Sequence, residues 1–191
     1  MFSLSPITLT GAQICLAPLT LEDVEPLLAL AIANTEQLKF MAGVDQRQWY
    51  LQALEDLAQG VALPLVLWVE GQRLGITRYA DIMSSLPACE IGWTWLDQSL
   101  HGSGCNTQVK YLMLEQAFER WAMVRVQLKT ALSNKRSQRA IEKLGAQKEG
   151  VLRNHRRLAD GSLDDTVMYS ITQAEWPQVR AQLRERLQRG E

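Results

Sequence analysis

Three strand-like runs follow one another between Leu63 and Leu96, and beyond Leu96 the pattern turns to strand–helix alternation; this order constrains the fold more than any other feature. Leu63–Val69 and Leu74–Ile82 are rich in branched and aromatic residues, and Glu70-Gly71-Gln72 between them predicts a hairpin. Glu90–Leu96, carrying Ile91, Trp93, Thr94 and Trp95, predicts a third strand. Upstream, Ile14–Leu19 reads as a short strand. Thr20 with Asp23 three residues on predicts a capped helix start before the apolar run Val24, Leu27, Leu28, Ala31, Ile32. Arg47–Gln59 predicts a second helix burying Trp49, Leu51, Leu54 and Leu57.

Past Leu96, a glycine-containing turn (Leu100–Cys105) leads into a helix from about Thr107 to Trp121, with Val109, Leu112, Met113, Ala117 and Trp121 inward. Val124–Thr130 predicts a strand, and Ser133 is placed to cap a helix that runs to Leu144 and stops at Gly145. Gln147–Leu158 and Asp165–Ile171 flank the turn pair Asp160-Gly161, and a last helix starts near Glu175-Trp176-Pro177. No repeat, low-complexity tract or Gly/Ser linker divides the 191 residues. The expectation is one domain over 1–191, an α/β (α+β) fold with a mixed, mostly antiparallel central sheet and helices on both faces.

Composition narrows the function classes. With 47% apolar and 21% charged residues and a net charge of −1, the chain is neither a bulk-basic nucleic-acid binder nor a disordered acidic tail. The apolar runs Val61–Val69 and Pro26–Ala33 fall short of the roughly 20 residues that cross a bilayer. No basic residue precedes Lys39, so a secretion signal's charged region is absent. Cys15, Cys89 and Cys105 are an odd set without a CxxC pair, and there are 2 histidines, which argues against a disulfide framework or a zinc site. A reduced, cytoplasmic, metal-free protein with no nucleic-acid or membrane partner is expected.

Charge is unevenly spread. Glu22, Asp23, Glu25, Glu36, Asp45, Glu55, Asp56 and Glu70 face only Lys39 and Arg47 in the first seventy positions, whereas 125–157 carries Arg125, Lys129, Lys135, Arg136, Arg139, Lys143, Lys148, Arg153, Arg156 and Arg157 against Glu142 and Glu149. Either the helix faces are merely biased, or an acidic side meets a cationic partner and a basic side an anionic one.

The stretch Glu90-Ile-Gly-Trp-Thr-Trp-Leu-Asp-Gln-Ser-Leu-His-Gly-Ser-Gly-Cys-Asn-Thr carries the chemistry. A strand ends, Gly102 and Gly104 allow positive φ in a tight turn, and the helix behind adds open N–H groups and the positive end of its dipole, a site for a phosphate or pyrophosphate. It is not a Walker loop, since no Gly-Lys-Ser/Thr follows, nor the dinucleotide fingerprint, whose three glycines follow the first strand of a parallel unit. Two glycines in a loop are also what an ordinary tight turn needs.

Gly75-Ile-Thr-Arg-Tyr, Glu90-Ile-Gly-Trp-Thr-Trp, His101-Gly-Ser-Gly-Cys-Asn, Asn134-Lys-Arg-Ser137, Lys143-Leu-Gly-Ala and Glu149-Gly-Val-Leu-Arg occur in the order found in the GNAT superfamily of N-acetyltransferases. The chain resembles that superfamily over nearly its whole length, close to the ribosomal-protein N-acetyltransferase (RimJ/RimL-like) branch. The resemblance implies acetyl-CoA as co-substrate, and a loop of the form Arg/Gln-x-x-Gly-x-Gly/Ala whose amides hold the coenzyme A diphosphate. Here His101, Gly104 and Asn106 occupy those positions, so His101 replaces the long donor and Asn106 the small residue, where Asn106 could cap the helix. The implied cofactor-binding set is Trp95 and Leu96 at the strand end, His101, Gly102, Ser103, Gly104, Cys105, Asn106 and Thr107 in the loop and first helical turn, and Asn134, Arg136, Ser137 and Arg139 on the following helix.

The implied reaction is direct attack of a neutral amine on the thioester. Glu90, on the strand that splays to admit the thioester in this family, is the candidate base, or else a strand-end carboxylate in an ion pair. A backbone N–H from Gly92–Leu96 would hold the oxyanion. Ile141 stands where many members carry a Tyr that protonates the leaving thiolate; Ser137 is the nearest substitute, unless the thiolate, of pKa about 8.5, leaves unassisted. Cys105 is too far along the loop to carry the acetyl group. Asn134 and Ser137 share a helix face with Ile141, and a cap and a core hydroxyl are their structural alternatives. His155 and Asp165 could line the acceptor pocket or serve the hairpin, and Trp49, Trp93 and Trp95 read as core. The acceptor is a primary amine, with a protein N-terminal α-amine favoured; a polyamine, amino acid or antibiotic, or a non-catalytic acyl-CoA-binding module, are the alternatives. Exposed edge strands and the apolar hairpin allow a homodimer.

Overall fold

The computed structural model describes residues 4–34, 40, 45–83, 85–158 and 160–190. Along them run β1 (Leu9–Thr10), β2 (Ile14–Pro18), α1 (Val24–Ala33), α2 (Gln46–Ala58), β3 (Leu63–Val69), β4 (Gln72–Met83), β5 (Ala88–Leu96), α3 (Cys105–Glu115), β6 (Arg125–Ala131), α4 (Lys135–Lys143), β7 (Gln147–Arg157), β8 (Leu163–Thr172) and α5 (Trp176–Gln188). The strands form one eight-stranded sheet in the order β1-β2-β3-β4-β5-β6-β8-β7. Every pair is antiparallel except β5 with β6. The expected mixed, mostly antiparallel sheet is therefore present, with the short edge strand β1 added.

Both faces are covered. Leu65, Leu67, Tyr79, Ile91, Val109, Met113 and Leu183 belong to one buried cluster, and Leu27, Tyr50, Val66, Ile76 and Trp95 to the other. Side chains alternate between faces along a strand, and β3 is covered on both, so its run Leu63–Val69 is continuously apolar rather than alternating.

The parallel pair is what shapes the site. It is short: Ala88↔Arg125, Cys89↔Val126 and Glu90↔Gln127. Beyond it β5 stays with β4 (Ile76↔Trp95, Gly75↔Leu96), while β6 stays with β8 (Leu128↔Tyr169 through Ala131↔Thr166), so the sheet forks. A bulge drives the departure. Between the pairs Ile76↔Trp95 and Arg78↔Gly92, both Trp93 and Thr94 oppose the single residue Thr77, and Trp93 takes φ 52. Gly75 permits the close approach there, since a Cβ would lie 2.5 Å from Trp95 O.

Several local expectations change. The Thr20–Asp23 box forms (Thr20 N and Oγ1 to Asp23 Oδ2, 2.8 and 2.7 Å), but it opens a 3-10 turn, Leu21–Asp23, ahead of α1. In α2 the buried residues are Trp49, Tyr50 and Ala53, while Leu51, Leu54 and Leu57 are half-buried. α3 starts at Cys105, two residues early, and gives way at Gln116–Arg120 to a π turn before Trp121. Asn134, not Ser133, caps α4 (Asn134 Oδ1 from Ser137 N, 3.0 Å), because Ser133 is held by Asp164 (N and Oγ to Oδ2, 3.3 and 2.5 Å). Among the described residues, no helix is long and apolar enough to cross a membrane.

Candidate active site

The turn after β5 is built by Asp97, whose carboxylate accepts from Ser99 N and Oγ (2.8 and 2.5 Å), and by Asn34, which bonds Asp97 Oδ2 (2.8 Å) and Gln98 N (3.0 Å). Gly102 and Gly104 follow at φ 77 and 76. Gly104 is itself the residue before the helix, which corrects the reading of Asn106 as a cap: Asn106 lies inside the first turn. His101, Gly102 and Ser103 are exposed, and a Cβ on Gly102 would meet nothing within 4 Å. His101 N, Ser103 N and Cys105 N find acceptors in the turn (Gln98 O, Leu100 O, Ser103 Oγ), which leaves the amides of Gly102, Gly104, Asn106 and Thr107 available above the α3 dipole. From the other side of the fork α4 contributes Arg136. The His101 imidazole is held below its ordinary value by partial burial and then by that guanidinium, with Asp97 opposing. Open amides, a helix N-terminus and an arginine match a diphosphate in charge and donor geometry.

The remaining coenzyme-side candidates divide. Trp95 and Leu96 are buried, so only their main chain is on offer. Cys105 is buried at the start of α3 and its thiol is pushed up to about 11 by that burial, a small inert residue. On α4 the buried polar side chain is Gln138, donating to Ala131 O and Leu132 O (3.2 and 2.6 Å), and it shares its face with Ile141 and Leu144. Ser137 lies four and seven residues before the buried Ile141 and Leu144, on their helix face, and is half-buried with its N–H committed to the Asn134 cap; Arg136 and Arg139 are exposed.

Glu90 sits where the fork begins, 2% exposed. Its Oε2 accepts from Lys129 Nζ (2.7 Å) and Gln127 Nε2 (3.1 Å). Burial raises its pKa more than those partners lower it. The ion-pair alternative is therefore real, yet it uses one oxygen. Oε1 lies over Gly92, where a Cβ would be 2.7 Å from it.

Beside Glu90, on the α1/α2 face, Arg78 lies over Trp93 and Trp49 (4.6 and 5.7 Å to the ring centroids) and 3.5 Å from Asp56. The expected acidic side is partly neutralised: Asp23 pairs with Arg73 (2.6 Å), Glu25 with Arg47 (2.8 Å) and Asp56 with Arg78, while Glu36 and Lys39 lie outside the described residues. Asp165 accepts from Asn154 N (2.8 Å) and His155 Nδ1 meets Thr166 Oγ1 (3.2 Å), both contacts within the last hairpin.

One group escaped sequence reasoning. Lys110 on α3 is buried, with Nζ 2.5 Å from Thr94 Oγ1 and 3.4 Å from Thr77 Oγ1. The signal was present: Lys110 falls on the same helical stripe as Thr107, Met113 and Ala117.

The forked mixed sheet with an open amide turn behind the fork is an architecture shared with solved acetyltransferase structures. Residues 13–147 match the family described as acetyltransferase (GNAT) domain, and the chain belongs to that family. Two solved structures carrying only the general description acetyltransferase are similar along almost their whole length. One is 33% identical (98% of this chain, 96% of that one, TM-score 0.85), and the other, from T. thermophilus, is 34% identical (98% and 100%, TM-score 0.84). RimL, described as a ribosomal L7/L12 alpha-N-protein acetyltransferase in complex with coenzyme A, shares the fold at 19% identity (87% and 98%, TM-score 0.76). No curated protein matches.

Proposed function

We propose that this protein, acting as one domain over 1–191, transfers an acetyl group from acetyl-CoA to a primary amine, in particular a protein N-terminal α-amine, with both substrates bound together in the cytoplasm. The observation that carries this reading is the fork beyond Glu90↔Gln127, with open amides of the His101–Thr107 turn at one end and a carboxylate at its vertex. When bound, the coenzyme supplies the acetyl group as a thioester. The amides of Gly102, Gly104, Asn106 and Thr107 hold its diphosphate, with Arg136 and Arg139 beside them and the α4 side of the fork along its arm. The bulge at Trp93–Thr94 turns main-chain groups toward the thioester oxygen as charge develops on it. Glu90 Oε1 takes the proton that makes the amine nucleophilic, while Lys129 and Gln127 hold Oε2.

The acceptor enters from the face of Trp49, Arg78, Trp93 and Glu90. A protein α-amine is the acceptor named for RimL, whose fold is shared. Exposed Val151, Leu152 and Leu163 on the β7/β8 edge hairpin offer a homodimer contact. The test is thiol release from acetyl-CoA with three acceptor sets: peptides with a free N-terminus, the same peptides blocked at the N-terminus but carrying lysine, and small amines. Release with the first set alone is expected. Tight coenzyme A binding with no release from any amine would overturn the enzyme reading.

A further inference from the structure

The coenzyme side of the fork contains a buried polar cluster with no role in the chemistry described so far. Lys110 Nζ reaches Thr94 Oγ1 at 2.5 Å and Thr77 Oγ1 at 3.4 Å, and the two hydroxyls are 2.8 Å apart. The charge of Glu90 on β5 acts on the ammonium, Met113 Sδ lies 3.5 Å from Thr77 Oγ1, and the Tyr79 hydroxyl of β4 is spent on Met113 O (2.7 Å). The α5 arginines Arg180 and Arg184 are engaged elsewhere, on Glu115 and Tyr111. Among the described residues no carboxylate forms an ion pair with Lys110, and a buried cation held by hydroxyls is costly to keep.

Counting protons shows where the cluster points. A protonated amine only donates, so both hydroxyls accept from Lys110. Either hydroxyl can donate across their 2.8 Å contact, and Thr77 also has Gly92 O at 3.4 Å and Met113 Sδ at 3.5 Å. In the arrangement with Thr77 donating to Thr94, the Thr94 proton has only Gly92 O at 3.4 Å among the described residues, a long contact easily exchanged for a better acceptor. Thr94 is half-buried, lies in the bulge and has no β6 partner, so the residue borders the fork.

Resting on the coenzyme reading above, we propose that Thr94 is a catalytic residue that donates its hydroxyl proton to the coenzyme sulfur, with Lys110 as the positioning residue behind it. Where Ile141 leaves the family's tyrosine missing, the Thr94–Lys110 pair takes over the acid's task. As the acyl carbon–sulfur bond breaks and its electron pair stays on sulfur, Thr94 gives sulfur a proton and Lys110 replaces it on the Thr94 oxygen. Glu90 passes the acceptor amine's proton to water, and Lys110, now neutral, takes a proton from water, so the cycle closes with no net proton change at either residue. Burial lowers the Lys110 pKa to about 7, which suits a group that must both give and regain a proton near neutrality.

The test needs no acceptor. Ionisation of the coenzyme A thiol in the saturated complex is followed by thiolate absorbance from about pH 6 to pH 10, against the S-methyl coenzyme A complex as reference. Cys89 and Cys105, pushed up to about 12 and about 11, stay protonated over most of this range, and Cys15 cancels in the difference. The bound thiol is expected to ionise about tenfold more readily than the free thiol, whose pKa is about 8.5. Thr94→Val and Lys110→Met abolish the shift, whereas Thr94→Ser and Lys110→Arg keep it. Coenzyme A binding by each variant confirms that it folds. A bound thiol titrating alike in wild type, Thr94→Val and Lys110→Met overturns this proposal alone. Failure of the wild type to bind coenzyme A overturns the acetyltransferase reading and this proposal with it.

Discussion

The two ends of the fork are made of different material. In the proposed reading, the coenzyme end is mostly main chain from one continuous segment, His101–Thr107, in which Gly102 and Gly104 hold positive φ and α3 supplies the dipole, with Arg136 and Arg139 of α4 beside it. The acceptor end is side chain from four elements: Trp49 of α2, Arg78 of β4, Glu90 and Trp93 of β5, and Gln127 and Lys129 of β6. A main-chain site tolerates side-chain change, so His101 and Asn106 can stand where the family has other residues without altering which amides face outward. A side-chain site has no such latitude, and its specificity resides in each residue. The difference predicts that coenzyme-side and acceptor-side substitutions separate cleanly in what they damage.

The largest expected effect tests a buried side chain on the coenzyme side of the fork. The Lys110 pKa is about 7 in the folded protein against 10.5 ordinarily, so between those values the unfolded chain carries a proton that the folded chain lacks. Stability therefore rises with pH across that window, and the full penalty applies below it. Lys110→Met should be more stable than wild type at pH 6 by roughly 2–4 kcal/mol after the lost hydroxyl contacts are counted, with the gap closing toward pH 10. Denaturant melts at several pH values check this. A constant gap would mean that Lys110 is charged in the fold.

Glu90→Gln should lower turnover by about a hundredfold or more while leaving coenzyme affinity unchanged, the signature of an acceptor-side base. Because the Glu90 pKa is raised, the wild-type rate should fall as pH drops through that raised value, and the variant's rate should lose this dependence. Steady-state rates against pH separate the outcomes. Gly104→Val should do the opposite. A β-branched residue at φ 76 costs about 1–3 kcal/mol and crowds the amides, so coenzyme A binding should weaken roughly ten- to a hundredfold by calorimetry, with little effect on any acceptor's KM. Loss of acceptor discrimination in Gly104→Val would break the separation. The smallest effect concerns the thiols: brief alkylation at neutral pH should spare Cys89 and Cys105, which are buried and protonated, and label half-buried Cys15, as peptide mapping would show.

The same contrast explains what could be read in advance. Branched and aromatic runs bounded by turn signals located β2 through β8, and the glycines located the turn, because both are local properties of the chain. Which of its amides stay open was not legible, because His101 N, Ser103 N and Cys105 N donate to acceptors set by the turn's own path. The Glu90–Lys129 pair spans 39 positions, and the Lys110–Thr94 contact joins a helix to a bulge whose extra residue no propensity marks. Ser133 and Asn134 are neighbours with equal claims as a cap; Asp164 decided between them from a distant strand. The acid surplus of the first seventy positions suggested an open acidic side, but arginines of α2 and β4 fold against it.

The most direct measurement is an amide-resolved NMR titration of the 15N-labelled protein with coenzyme A. The largest shifts are expected at Gly102, Gly104, Asn106 and Thr107, with a second group at Trp93–Leu96, and the first group alone when ADP replaces coenzyme A. Shifts that bypass the His101–Thr107 turn, or none at saturating coenzyme, would contradict the placement of the coenzyme in the fork.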